Sequence, residues 1–141
     1  MTDPGMTSAP RVDRRRVRQL IVSMLVTFLA LRGYLHTFPN QDMSVGGFNV
    51  HHLFTGLLLI TLGGIPLVIL DGARRALDIA TVVFGIGLSM ALDEWLYLIV
   101  TDGSNASYLL PVSFLGGVGF VGAALTYTAW LSRAVRERSE G

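Results

Sequence analysis

The sequence predicts an all-α, polytopic membrane protein: a four-transmembrane-helix bundle with both termini in the cytoplasm. Three observations carry this expectation. Apolar residues make up 51% of the 141 and charged residues only 15%, a surplus that a soluble domain of this size does not bury. Charged and turn-rich breaks divide the chain into apolar segments at 17–38, 50–70, 79–101 and 108–131, each near the ~20 residues a spanning helix needs. The 11 basic residues are all arginine, and all but Arg32 fall on one side of those segments.

The arginines orient the chain. Arg11, Arg14, Arg15, Arg16 and Arg18 lie at the start of span one, Arg74 and Arg75 between spans two and three, and Arg133, Arg136 and Arg138 after span four. The positive-inside rule then puts both ends and the 71–78 turn in the cytoplasm, and the 39–49 and 102–107 loops outside, in a plasma (cell inner) membrane.

Residues 1–16 are expected to form a disordered basic segment. Span one is read as uncleaved, because Ala30-Leu31-Arg32 offers no small-x-small cleavage site. The 39–49 loop is turn chemistry throughout, and Asp102-Gly103-Ser104-Asn105 serves the same purpose between spans three and four. Spans two to four carry small residues where helices are expected to approach closely: Gly56 and Gly63, Gly85 and Gly87, Gly116 and Gly119. They predict a tight bundle or an oligomer seam. Pro66 is expected to kink span two, and 132–141 reads as a charged cytoplasmic tail.

Composition excludes several classes of function. With no cysteine there is no thiolate chemistry and no thiol-linked cofactor. No nucleotide motif is present, and the Arg-rich start is read as topogenic rather than as a nucleic-acid surface. The expected partners are the lipid bilayer and either further copies of the chain or a larger membrane complex.

Function therefore rests on the polar residues inside the spans: Arg32, His36, His51, His52, Asp93 and Glu94. A charged residue at a helix centre costs ~2.5–3.5 kcal/mol on insertion scales, so such residues usually have partners. At 1.5 Å of rise per residue, His52 and Asp93 stand ~27 and ~24 Å from the cytoplasmic turn that joins their helices. Arg32 and His36, at ~21 and ~27 Å, bring span one to the same layer. Residues four apart share a helix face, so Ser89, Asp93 and Tyr97 form one stripe and His52 with Gly56 another. His51 and Glu94, about 100° off those faces, are expected to flank the layer, meet span four or point at another protomer.

Imidazoles and carboxylates are ligands for zinc, iron, manganese or copper. The leading expectation is accordingly a metal site of His51, His52, Asp93, Glu94 and His36, supported by Arg32, Tyr97 and Ser89. Two alternatives stay open. One is a proton- or ion-coupled transporter or channel protomer using Asp93 and Glu94; the other is a non-catalytic subunit in which Arg32 forms a structural ion pair with Asp93 or Glu94. Ser23, Ser89 and Ser113 lack a nucleophile elbow. Tyr34, Trp95, Tyr97, Tyr108, Tyr127 and Trp130 are read as aromatic belts at the two membrane surfaces.

The run His51-His52-Leu53-Phe54-Thr55-Gly56, followed by Gly85-Ile86-Gly87-Leu88 and Asp93-Glu94, resembles a pattern in small four-helix integral membrane proteins of bacteria and archaea. These carry a paired histidine in one span and an Asp-Glu pair in the next. The resemblance covers spans two and three, implies a shared site there and brings no activity with it.

Overall fold

The computed structural model describes residues 12–38, 44–45, 48–49 and 51–140. Its elements are α1 (Arg14–Thr37), β1 (Ser44–Val45), β2 (Phe48–Asn49), α2 (His52–Ile69), α3 (Arg74–Val100), α4 (Asn105–Tyr108) and α5 (Pro111–Glu140). The chain is all-helical apart from the two-residue antiparallel ribbon of β1 and β2. Four of the helices, α1, α2, α3 and α5, are long and apolar enough to cross a membrane.

Local chemistry sets the boundaries. Asp13 caps α1, its Oδ1 accepting the backbone N–H groups of Arg15 and Arg16 at 3.0 and 3.3 Å, so the helix starts within the segment expected to be disordered. Residues 1–11 lie outside the described residues. The α2–α3 turn reverses at Gly72, with φ +71°, and the α3–α4 connection at Gly103, with φ +73°; only glycine adopts this conformation without cost. α2 runs unbroken through Pro66. The fourth span does not begin at Tyr108 as expected: Tyr108 closes the short α4, and α5 opens on Pro111, a residue whose missing N–H costs nothing at a first helical position. α5 then continues through the charged tail.

α3 is the hub. α2 packs along one face of it through glycines, while α1 and α5 pack on the other and on each other. A buried cluster of Met24, Phe28 and Val121 fills the α1–α3–α5 junction, flanked by Leu20, Leu88 and Leu92. On the α2 side the backbones nearly touch: a Cβ on Gly56 would lie 2.7 Å from the Gly87 carbonyl oxygen, and one on Gly63 would lie 2.7 Å from that of Ala80. Gly85 sits against Ser23 of α1, and Gly116 against the Leu96 side chain. Among the described residues, no atom lies within 4 Å of where a Cβ on Gly119 would sit.

The outside is as apolar as the inside. Val22, Leu29, Leu58, Leu62, Val68, Ile79, Ile99 and Leu115 are all exposed. At the arginine-rich end, Arg15 of α1 pairs with Asp78 of α3 at 2.9 Å.

Candidate functional site

The polar layer forms at the opposite end, where α1, α2, α3 and the α4–α5 break meet. Asp93 is at its centre and has no exposed surface. Arg32 reaches it from α1, with Nε and Nη2 both on Oδ1 at 2.7 and 2.6 Å. The same guanidinium donates from Nη2 to the Ser113 carbonyl at 2.9 Å and from Nη1 to the Ser113 hydroxyl at 3.3 Å. The Tyr108 carbonyl lies 3.4 Å from Nη1. One arginine thereby ties α1 to α3, α4 and the first turn of α5. Its Cζ stands 4.3 Å from the centre of the Tyr108 ring, in cation–π range.

The other oxygen, Oδ2, accepts the Tyr108 hydroxyl and faces His52 Nε2 at 3.3 Å. Glu94 is buried beside it. Its Oε1 faces His51 Nδ1 at 3.1 Å and His52 Nδ1 at 3.4 Å, and its Oε2 accepts the Leu53 backbone N–H at 2.6 Å. α2 has no side-chain cap of its own. A carboxylate from α3 therefore satisfies one of its orphan N-terminal donors and complements its positive dipole end.

His52 is the unusual member. Both of its ring nitrogens face a carboxylate oxygen, Asp93 on one side and Glu94 on the other. A neutral imidazole offers one N–H and one lone pair, so it satisfies only one ionised carboxylate. With Arg32 at +1 and two carboxylates at −1 each, the buried group carries a net −1 while both histidines are neutral, which low-dielectric surroundings disfavour.

The expected residues divide clearly. His51, His52, Asp93, Glu94 and Arg32 converge; His36 is exposed at the end of α1 and stands apart. Ser89 is buried, donating to the Met24 carbonyl at 2.9 Å, as a packing residue between α3 and α1. Tyr97 is buried too, its hydroxyl on the Ser104 carbonyl at 2.8 Å, where it pins the turn that follows α3. Asp102 in that turn accepts from Ser107 Oγ at 2.5 Å and from the Ser104 N–H at 3.0 Å. These bonds hold its carboxyl down to about 2.

Tyr108 and Ser113 were not expected here. Tyr108 was read as a belt residue, and its ring instead stacks edge-on against Tyr97 and His52. The short 102–104 connection carried the signal: a chain that rises one helical stretch beyond Asp93 and turns back at once must pass Asp93 again on its return. Tyr108→Phe keeps those ring contacts and removes only the hydroxyl. It is expected to lower stability by about 1.5–3 kcal/mol, the range for a hydrogen bond to a charged group, read as a lower thermal midpoint in detergent.

The carboxylate oxygens are each engaged by a donor from within the chain, and among the described residues no cluster of three or more His, Asp or Glu side chains is placed to hold a metal ion. The geometry is that of a closed hydrogen-bonded ion network. No protein-family model, curated protein or solved structure matches the chain.

Proposed function

We propose that the chain is an integral plasma-membrane protein that spans the bilayer four times with both termini in the cytoplasm, and that its outer-end network is the proton-binding element of a proton-coupled carrier or channel protomer. Four long apolar helices with outward-facing aliphatic side chains support the first part. So does the gathering of the arginines at one end of those helices. The second part is carried by one observation: His52 stands between the two carboxylates, with Nε2 3.3 Å from Asp93 and Nδ1 3.4 Å from Glu94. A proton arriving there joins the start of α2 to α3, and its departure leaves a neutral imidazole of α2 facing two carboxylates of α3. Side-chain exposure of 21% at His51 gives water a route to the network from the outer side.

The test uses Glu94→Gln. Glutamine keeps an oxygen for the Leu53 N–H but removes one of the two negative charges. In proteoliposomes loaded with a pH-sensitive dye and subjected to a pH step, wild type is expected to equilibrate protons and Glu94→Gln to fall to the rate of protein-free liposomes. Equal rates for the two proteins would sink the proposal.

A second reading, a non-catalytic subunit held together by the Arg32–Asp93 pair, is favoured by how completely that pair is enclosed. It predicts no flux from either protein, together with a partner that co-purifies. The transition-metal reading has less support, because the donors that would bind an ion are bonded to one another. Stoichiometric zinc, iron, manganese or copper lost in His52→Ala would establish it instead.

A further inference from the structure

At the arginine-rich end, a cleft of about 420 Å³ opens between the start of α1 and the end of α5. Arg14 and Arg18 stand one helical turn apart on one wall, Ser132 and Arg136 one turn apart on the other, and Val17 and Ile21 lie among them. Three arginines and a serine from two helices thus line one space of ligand size, the Ser132 hydroxyl donating to the Ala129 carbonyl at 2.8 Å. The carboxylates nearest the α1 side, Asp13 and Asp78, are engaged by Arg16 and Arg15, neither of which lines the cleft. Arginine forks match the oxygens of a phosphate group, and the apolar residues suit the glycerol and first methylenes beside one.

We propose that this cleft binds a phosphate group, carried by an anionic phospholipid headgroup or by a soluble phosphate ester. In the membrane reading the cleft stands at the depth of the cytoplasmic headgroups, where basic pockets between helices take anionic lipids. Only the lipid source rests on that reading; the proton network at the other end plays no part.

Trp130 is exposed on α5, two residues from Ser132 of the cleft wall, and is the reporter at that end once Trp95 at the far end is removed as Trp95→Phe. The full chain in that background is reconstituted with brominated phosphatidylglycerol or brominated phosphatidylcholine, and Trp130 quenching is compared. The cleft variant is Arg18→Gln/Arg136→Gln. The control, Arg133→Gln/Arg138→Gln, loses the same charge from residues outside the cleft. Stronger quenching by the anionic lipid is expected, lost in the cleft variant and kept in the control. At about 1 kcal/mol per arginine, the two changes together weaken headgroup binding about thirtyfold.

The soluble source is probed with glycerol 3-phosphate and the thermal midpoint of detergent-solubilised protein. If the ester stabilises wild type and control but not the cleft variant, while lipid quenching shows no preference, the site stands with a soluble ligand. Equal losses in both double variants, or no preference for either probe, overturn it. Glu94-dependent proton flux measured on the same preparations separates this failure from a failure of the proton network.

Discussion

Arg32→Leu is expected to cost about 3–5 kcal/mol of stability, the loss seen when one partner of a buried ion pair is removed and the other left in place. The magnitude follows from what remains. Asp93 has no exposed surface, so the orphaned carboxylate cannot recover its lost bonds from water. The Ser113 and Tyr108 carbonyls lose donors at the same time. Arg32→Lys is expected to fall between wild type and the leucine variant, because a lysine ammonium is a point charge that cannot bond Asp93 and the start of α5 as a planar fork does. The decisive variant is Arg32→Leu/Asp93→Leu. Replacing both charges by apolar groups removes the uncompensated one, so the double variant should regain more than half of the loss. Chemical denaturation in mixed micelles, followed by circular dichroism, measures all three. A loss under about 1 kcal/mol for Arg32→Leu would mean that the pair does not hold this end of the helices together.

The same pair marks how far the sequence could be read. The number and placement of the long helices were legible because lipid-length apolar runs leave few alternatives. The shared depth of His52, Asp93 and Arg32 followed from counting residues along helices joined by a short turn, since 1.5 Å per residue is a rigid ruler. His51 and Glu94 were named in the expected site, but helix geometry left them to flank the layer, meet span four or point at another protomer. They meet because His51 sits at the very start of α2, where the backbone has left the helical screw and the 100° rule no longer applies. His36 obeys that rule with respect to Arg32, yet lies one turn further along α1, where it is exposed. The short 102–104 connection brings the returning chain back past Asp93, but which of its residues is buried there depends on where the chain breaks between α4 and α5, a matter of two residues that hydropathy does not resolve.

Glycines decide whether the network can exist at all, and they give the second large effect. A Cβ on Gly87 would stand 2.6 Å from both the Gly56 carbonyl oxygen and the Ile60 nitrogen. These are backbone atoms, which have no rotamer to yield, so the helices must separate. Gly87→Ala is therefore expected to destabilise by about 1–3 kcal/mol, the range for overpacking, even though alanine is the better helix former by up to about 1 kcal/mol. Gly56→Ala meets the same obstacle from the other side, with Cβ 2.7 Å from the Gly87 carbonyl oxygen. Because the first substitution already parts α2 from α3, the double variant should cost less than the two single costs combined. The separation also carries His52 and the Leu53 N–H away from Asp93 and Glu94, so proton flux should fall together with the thermal midpoint. Gly119→Ala is the contrast. Nothing lies within 4 Å of its Cβ position, so in an isolated chain the substitution is expected to be neutral or to stabilise by up to about 1 kcal/mol. A clear loss at Gly119 would require a helix from another chain on that face, and would turn the case toward the subunit reading; stability unchanged at Gly119 and reduced at Gly87 leaves the α2–α3 contact as the one that sets the geometry of the buried polar network.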